Sequence, residues 1–377
     1  MDNLNFDFSR NQSLSQSIDG LVLNSSSGRP ISFDSYKRQS LRLSRLMAIA
    51  VPYKSLWFNM AHCGDFMIVG KTSLGEKRIL NANFCHARLC PMCQQRRSAK
   101  ARAQVFEIIK HYDDDVRFLF LTLTLKNVIC SAEAISSTFK LISSAWQRLS
   151  QRSVFRDVVH GYYKSIEMNV DLNMKITSDM YERASEYYKA RNISIGDDNP
   201  NFFNVHPHLH VILAVNNSYF VRPGRSYISQ KKWVELWRDA LRADYDPILD
   251  IRKITDLHGG SDTTSAVLEV TKYATKPSDI LFNDASDEIR ICALREIYEG
   301  ISGKRFTSFG GSMRHLHKLC NLSDIEDDSD LDDFDIPDEK VVDIEGYNWD
   351  YGVSGGRYVR NALTEKMYKQ LVKDRGY

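Results

Sequence analysis

The sequence lacks the long apolar run of a membrane-spanning helix and the pattern of a secretory signal. A transmembrane helix needs about 18 consecutive apolar residues, and nothing in this chain of 377 residues approaches that length. The N-terminus is polar with early acidic residues, whereas a signal peptide begins with a basic stretch followed by an apolar one. No internal repeat is evident either. We therefore expect a cytoplasmic protein that has no membrane partner.

The small net charge of +2 conceals a strong separation of charge along the chain. Residues 29–110 carry 15 Lys and Arg against 4 Asp and Glu, whereas residues 323–345 carry 12 Asp and Glu and a single Lys. A basic region of this size is typical of nucleic-acid binding, with a solvated basic face as the alternative. The acidic run is interpreted as a solvated linker. Its alternative roles are to keep the protein off non-specific DNA or to bind a host factor.

The chain has seven cysteines, an odd number, and three of them are close together in sequence. In a cytosolic chain such clustering favours metal binding over disulfides. Cys90-Pro-Met-Cys93 supplies two thiolates, and Cys85 together with the upstream Cys63 would complete a tetrahedral zinc site. His86 is the rival fourth ligand, and reduced, buried thiols are the alternative to a metal. Four protein ligands leave no open position, so this zinc is predicted to be structural.

The cysteines are followed at once by four basic residues: Arg96, Arg97, Lys100 and Arg102. They begin the stretch QQRRSAKARAQVFEIIKHY, which predicts a helix with Val105, Ile108 and Ile109 on its buried face. A zinc-tied subdomain with these cations is predicted to dock on DNA phosphates.

Strand and helix patterns alternate along the chain. Runs rich in β-branched and aromatic residues predict strands at 116–127, 161–172, 206–215 and 248–255. Helical spacing predicts helices at 36–50, 131–151, 231–243 and 265–276, the last ended by Pro277. Residues 175–204 are predicted to be an insertion of helix and loop. This order predicts an α+β fold in which a central antiparallel sheet is flanked by helices.

Three histidines occupy alternate positions of the third predicted strand: His206, His208 and His210. Side chains at alternate strand positions share one face, so two imidazoles there form half of a metal site. The alternative is a polar strand face. An oxygen ligand is expected from a neighbouring strand. Glu167 is the best candidate, because an acidic residue that interrupts the apolar stretch KSIEMNV needs a partner; the alternative is a Glu that faces outward.

The segment EVTKYATK carries a second constellation. On a helix, Glu269 and Tyr273 share one face, and Lys272 and Lys276 form another such pair. A tyrosine can attack a phosphodiester when cations and a metal neutralise the phosphate, and a nearby Glu can act as general base. With 18 tyrosines in the chain, a buried structural Tyr273 is the alternative. The functional interpretation depends on its position after the histidine strand.

Together these residues resemble the rolling-circle plasmid replication initiators of the HUH endonuclease superfamily, and within it the bacterial plasmid group that uses one Tyr and one Glu. The resemblance covers roughly residues 60–320. It depends on four motifs in the expected order: FCHARLCPMC, FLTLTLKN, HPHLHVIL and EVTKYATK. It implies that the central sheet carries the HUH strand.

The resemblance also implies roles for individual residues. His208 and His210 correspond to the paired metal-binding histidines, and Glu167 lies where an acidic ligand is expected. His206 would be a further ligand or would orient one. Tyr273 matches the nicking tyrosine, and Glu269, where some relatives have a second tyrosine, would assist the hydrolysis that ends replication.

The implied reaction is a nick in origin DNA that leaves a 5′-phosphotyrosine link and a free 3′-OH primer. Mg²⁺ or Mn²⁺ suits this chemistry, and histidine ligands favour Mn²⁺. Lys272 or Lys276 would stabilise the developing charge. The implied partners are plasmid origin DNA and a host helicase and polymerase. The expected boundaries are a flexible leader at 1–34, a basic and zinc-binding subdomain at 35–112, an endonuclease domain at 113–320, an acidic linker at 321–345 and an aromatic and basic segment at 346–377.

Two other functions fit parts of this pattern. A mobilisation relaxase belongs to the same superfamily, but relaxases usually carry the tyrosine before the histidine strand. A zinc-stabilised DNA-binding regulator would have no catalytic tyrosine at all.

Overall fold

The computed structural model describes residues 21–24, 30–220, 227–255, 261–272, 275–331, 341–352 and 355–374. The strands are β1 Val22–Asn24, β2 Pro30–Ser32, β3 Phe66–Thr72, β4 Lys77–Ala82, β5 Val116–Thr124, β6 Val128–Ile129, β7 Val159–Asp171, β8 Asn204–Asn216, β9 Leu249–Lys253, β10 Thr307–Gly310, β11 Val341–Asp350 and β12 Arg357–Arg360. The helices are α1 Phe33–Ala50, α2 Lys54–Ala61, α3 Pro91–Lys110, α4 Ala132–Ser150, α5 Ser153–Arg156, α6 Ser178–Arg183, α7 Ser185–Lys189, α8 Gln230–Leu241, α9 Ser261–Val270, α10 Pro277–Leu281, α11 Asp287–Ile301, α12 Gly311–Leu319 and α13 Ala362–Asp374.

Helix starts follow the local sequence. Ser131 caps α4 by accepting a hydrogen bond from the backbone N–H of Ala134, and Ser229 caps α8 in the same way. Such caps satisfy amide groups that the first helical turn leaves free. Helix α3 begins at Pro91, a position where proline's missing N–H costs nothing.

The central sheet has the strand order β10-β7-β8-β5-β9, with β6 pairing to β8 at one side. All of its strand pairs are antiparallel. The histidine strand β8 therefore lies in the middle, between β7 and β5. The predicted α+β fold with a central antiparallel sheet and flanking helices is confirmed.

Helices cover both faces of this sheet. On one face, Val105 of α3, Val267 of α9 and Met313 of α12 belong to the same apolar cluster as Phe120 and Ile212 of the sheet. On the other, α4, α8 and α11 pack against the alternate residues of the same strands, such as Leu121 and Val211. Among the described helices, none is both long and apolar enough to traverse a bilayer.

A second antiparallel sheet, ordered β12-β11-β3-β4, joins two parts of the chain that are far apart in sequence. Strand β11 pairs with β3 from Val341↔Thr72 to Asn348↔Phe66. The segment predicted at 346–377 is not separate, because β12 and the second half of β11 belong to the sheet that contains β3 and β4. Most of the predicted leader at 1–34 lies outside the described residues, and α1 already begins at Phe33.

The insertion between β7 and β8 closes on itself. It contains two short helices, α6 and α7. After them, Asn199 bonds to the end of β7: its Nδ2 donates to Asp171 Oδ2 at 2.9 Å and to the Asn173 carbonyl at 2.8 Å. Strands β7 and β8 stay paired from Val159↔Val215 to Asp171↔Asn204, apart from one register shift between Val159 and Gly161. The insertion therefore leaves the pairing of Glu167 with the histidine strand intact.

The helix predicted at 265–276 is wrong in its extent. Helix α9 runs from Ser261 to Val270, and α10 starts separately at Pro277. Lys276, which precedes Pro277, has an extended backbone, as expected because a proline disfavours helical geometry in the residue before it. The predicted pairing of Lys272 with Lys276 on one helical face is therefore wrong.

Candidate active site and metal centres

The register of the central sheet places the predicted ligands on neighbouring strands. Glu167 on β7 lies directly opposite His208 on β8, and Thr122 on β5 lies directly opposite His210. Directly opposed residues project from the same sheet face. This is the face that α3 and α9 cover, so the site lies between the sheet and the chain that follows α9.

Glu167 and His210 are in direct contact. The Nε2 atom of His210 and Oε2 of Glu167 are 2.7 Å apart, and the two residues are only 6% and 4% exposed. The other carboxylate oxygen of Glu167 is 2.7 Å from Nζ of Lys276. Burial alone would raise the pKa of Glu167, but the hydrogen bond from His210 and the charge of Lys276 lower it to about 2. Glu167 is therefore an ionised carboxylate, the form that binds a metal ion.

Two residues on β5 hold the imidazole of His210 in place. The Oγ1 atom of Thr122 is 3.2 Å from Nδ1 of His210. The ring of Phe120 stacks on the imidazole with a centroid distance of 5.9 Å and an interplanar angle of 23°. When the Nδ1–H of His210 donates to the Thr122 hydroxyl, the lone pair of Nε2 faces Glu167 and is free for a metal ion, which is how a second contact commonly orients a metal-binding histidine.

His208 stacks beside His210, with ring centroids 6.1 Å apart and an interplanar angle of 12°. Its Nδ1 atom is buried and has no hydrogen-bond partner among the described residues. Burial lowers the pKa of His208, and also that of the half-buried His206. Both rings are therefore neutral at pH 7, which is the form that coordinates metals.

The residues at this site suit a divalent cation. Ligand atoms of Glu167, His210 and Glu269 all lie within 4.8 Å of one another. This trio differs from the predicted set, which had His206 and His208 beside Glu167 and His210 and did not include Glu269. Two carboxylates and a histidine suit Mn²⁺ or Mg²⁺, and the orphaned nitrogen of His208 beside them is available as a further ligand.

The two predicted lysines in the segment after α9 pair with different carboxylates of the site. Lys272 forms an ion pair with Glu269, and Lys276 forms the pair with Glu167 described above. Just after the end of α9, the side chain of Thr271 donates to the Val267 carbonyl at 2.6 Å. Tyr273 itself lies outside the described residues, between Lys272 and Thr275.

The four predicted cysteines meet at one point: Cys63, Cys85, Cys90 and Cys93. The Sγ atom of Cys93 is 3.6 Å from that of Cys63 and 3.7 Å from that of Cys85. Four sulfurs at about 2.3 Å from a tetrahedral zinc would be about 3.8 Å apart. His86, the rival ligand, has an exposed side chain and a left-handed backbone with φ of 58°. The cluster can hold a metal ion with sulfur ligands alone.

The surroundings of the sulfurs favour a thiolate. Burial would raise the pKa of Cys90, but hydrogen bonds from Cys63, Cys85 and Cys93, together with Ser40 at 3.2 Å, hold it well below its usual value. The backbone N–H of Cys85 also donates to the sulfur of Cys63 at 3.3 Å. A bound cation would favour the thiolate form of the other three as well.

Comparison with known proteins identifies the family. The family model Rep_1, described as a replication protein, matches residues 76–359. The chain belongs to this family. Its membership confirms the resemblance to the rolling-circle plasmid replication initiators. No solved structure matches this initiator.

Curated bacterial relatives agree with this assignment. A Protein rep of Lactiplantibacillus plantarum is 30% identical over 300 residues, which are 77% of this chain and 82% of the relative. A Protein rep of Streptococcus pneumoniae is 29% identical over 293 residues, 77% of this chain and 80% of the relative. A Replication protein of Staphylococcus aureus is 30% identical over 245 residues, 65% of this chain and 89% of the relative.

The basic residues that the sequence assigns to DNA contact are largely covered in the initiator. Arg96 is 3% exposed and donates to the Leu331 carbonyl at 2.8 Å. Lys100 is fully buried, Arg97 is paired with Asp328, and Arg102 is half-buried. Part of the predicted acidic linker packs on this helix, so residues 323–331 are not a solvated linker.

Sequence reasoning missed the contribution of Thr122 and Phe120 to the site. The signal was present in FLTLTLKN, where threonines alternate with leucines in an otherwise apolar strand. A polar side chain at a buried strand position requires a partner, and His210 is that partner.

A cavity of about 60 Å³ adjoins the segment that contains Tyr273. Its walls are formed by α3, by Tyr163 and Ser165 of β7, by Thr271, Lys272 and Thr275, and by residues that follow α11. The residues described on either side of Tyr273, Lys272 and Thr275, thus both line this cavity.

Proposed function

We propose that this replication initiator nicks one strand of plasmid origin DNA, with Tyr273 as the nucleophile and Glu167 and His210 as metal ligands. The observation that carries the proposal is the buried contact between Glu167 and His210 on adjacent strands, with Lys276 on the same carboxylate. The chain enters the Tyr273 segment at Lys272 and leaves it at Thr275, and both residues line the adjoining cavity.

The proposed step is a transesterification at one phosphate of the origin. The phenol oxygen of Tyr273 attacks phosphorus and loses its proton, and the bond from phosphorus to the 3′ oxygen breaks. The 3′ oxygen takes up a proton and leaves as a free 3′-OH. The 5′ phosphate stays on the tyrosine, so the linkage retains the energy of the broken phosphodiester.

The residues around the segment lower the cost of this step. A bound Mn²⁺ or Mg²⁺ would supply positive charge to polarise the scissile phosphate. Glu167 and His210 would hold it, with His208 or Glu269 beside them. Lys272 and Lys276 add fixed positive charge where the phosphate becomes more negative during attack.

Glu269 is assigned the hydrolysis that ends replication. It would take a proton from water, which then attacks the phosphotyrosine and frees the enzyme. Its ion pair with Lys272 keeps the carboxylate beside the Tyr273 segment. The cysteine cluster is proposed to hold a structural zinc, since four protein sulfurs leave no open position for substrate. The proposed partners are the plasmid origin, as duplex and as single strand, and host helicase and polymerase.

The test is nicking of a supercoiled plasmid that carries the cognate origin, in Mn²⁺, by Tyr273→Phe. The variant keeps the ring and loses the attacking oxygen, so we expect no nicked product and unchanged origin binding. Tyr53→Phe is the matched control, because Tyr53 is 59% exposed and lies on the link between α1 and α2. It should nick as the wild type does.

Two results would favour the other functions. Nicking by Tyr273→Phe would assign the nucleophile to another residue, as in a relaxase. Binding without nicking by the wild type, across Mn²⁺ and Mg²⁺, would favour a DNA-binding regulator.

A further inference from the structure

An acidic segment lies on the basic surface that the sequence assigns to DNA. We call residues 323–331 the acidic strap. Every second residue from Asp324 to Asp330 is acidic. Four ion pairs connect the strap to the rest of the molecule: Asp324 with Arg305, Glu326 with Arg88, Asp328 with Arg97, and Asp330 with Lys100. Each of these four carboxylates thus neutralises a different cation, while the fifth, on Asp327, accepts a hydrogen bond from the backbone N–H of Ser329.

The contacts on the arginines have the geometry that arginine uses for phosphates. Arg305 binds both oxygens of Asp324, at 2.5 and 2.8 Å. Arg97 also binds both oxygens of Asp328, through Nε at 2.7 Å and through a terminal nitrogen. A guanidinium binds a phosphate through the same two parallel hydrogen bonds. The strap therefore occupies sites that a nucleic-acid backbone can also fill.

Lys100 shows how fully the strap covers this surface. Its ammonium donates to the carbonyls of Asp324 and Asp327 at 2.7 Å each, and to Asp330 Oδ1 at 2.5 Å. A fully buried lysine needs this set of acceptors, because an unpaired buried charge is costly. DNA that displaces the strap would have to supply its own oxygens to Lys100.

The covered surface is continuous with the cavity beside the Tyr273 segment. Arg88, Arg97, Ile325 and Glu326 line that cavity, together with Lys272. On its other side, Arg305 and Asp324 line a second, open groove along α12, which also carries Arg314 and Lys318. The strap therefore lies between a basic groove and the nicking segment.

We propose that the cations beneath the acidic strap bind the single-stranded DNA that leads to the nick site, and that the strap occupies this surface in the DNA-free protein. The inference rests on the proposed nicking function, since the covered surface reaches the cavity beside Tyr273. DNA phosphates replace the four strap carboxylates on Arg88, Arg97, Lys100 and Arg305. Weak non-specific binding is the consequence, because DNA must first displace a segment of like charge.

The test is binding of a fluorescent 30-nucleotide oligothymidine, without divalent metal, so that it reports no nicking. The strap-neutral variant combines Asp324→Asn, Glu326→Gln, Asp328→Asn and Asp330→Asn. The control variant makes the same change in net charge at four exposed sites outside the strap: Glu133→Gln, Asp157→Asn, Glu288→Gln and Glu299→Gln. We expect the strap-neutral variant to bind at least about tenfold more tightly than the control. The slope of log K against log salt concentration should also be steeper by about 3, because each of four phosphate contacts to single-stranded DNA adds about 0.7.

A gain no larger than the control's, or an unchanged salt dependence, would overturn the proposal. Adding Arg97→Gln and Arg305→Gln to the strap-neutral variant should abolish the gain, and a gain that survives would place the DNA elsewhere. A larger gain for a 30-base-pair duplex than for the oligothymidine would overturn the assignment to single-stranded DNA. The single variant Asp324→Asn removes only the exposed pair with Arg305, so its gain in affinity should lie between those of the wild type and the fourfold variant. It keeps the test available if the fourfold variant does not fold. Failure of nicking by the wild type would not alter these binding results.

Discussion

The initiator contains two clusters of potential metal ligands that differ in composition and in how completely protein ligands fill them. The cysteine cluster has four sulfurs, three of them on buried residues, between α1, α3 and the second sheet. The Glu167 and His210 cluster has oxygen and nitrogen ligands, an unpartnered histidine nitrogen nearby and a cavity beside the segment that follows α9. A closed set of ligands suits a structural ion, and an open set suits a catalytic one. Ligand type and completeness of the ligand set, rather than exposure, would therefore distinguish the two roles, since Glu167 and His210 are 4% and 6% exposed.

The largest expected effect tests whether the cysteine cluster holds a structural ion. Cys93→Ser should lose the zinc and lower the free energy of unfolding by roughly 3–5 kcal/mol, a fall in Tm on the order of 10 °C. The reason is that a buried hydroxyl cannot replace the thiolate. Metal analysis and thermal unfolding check this outcome. Cys292→Ser is the control, since Cys292 is exposed and outside the cluster; equal losses from both variants would contradict a structural zinc.

The next test removes the charge at the other cluster. Glu167→Gln keeps the size of the side chain but loses the carboxylate that contacts His210 and Lys276. We expect nicking to fall roughly 10²–10³-fold, while zinc content is unchanged. The measurement is the initial nicking rate against Mn²⁺ concentration, beside metal analysis. Wild-type nicking by Glu167→Gln would remove Glu167 from the metal site.

The smallest expected effect on nicking comes from Glu269→Ala. If Glu269 acts only in hydrolysis, the initial nick forms normally and the covalent intermediate accumulates because termination fails. If Glu269 is instead a metal ligand, as its proximity to Glu167 and His210 permits, the initial nick itself needs more Mn²⁺. Quantifying nicked plasmid and protein-bound DNA in one time course separates these outcomes.

The sequence predicted the central sheet well because its signals are local. β-Branched and aromatic residues marked β5, alternation marked β7 and the start of β8, and the pleat alone put the histidines on one face. The contact of Glu167 with His210 followed from the register, and the insertion before β8 did not disturb it.

The features that the sequence missed depend on contacts between distant segments. The pairing of β11 with β3 joins Val341 to Thr72, and the composition of neither strand identifies its partner. The cover on α3 likewise comes from the acidic strap, which follows α12 in the chain. The helix predicted at 265–276 was too long, because side-chain spacing does not reveal that α9 ends at Val270 or that Lys276 is extended before Pro277.

The most direct test of the account is the identity of the residue that becomes bonded to DNA. Wild-type protein would be reacted in Mn²⁺ with a single-stranded oligonucleotide that spans the nick site, digested with protease, and the nucleotide-bearing peptide sequenced by mass spectrometry. We expect a 5′-phosphate ester on Tyr273, and with Glu167→Gln the same adduct formed roughly 10²–10³-fold more slowly. An adduct on any other residue, or nicking without an adduct, would contradict it.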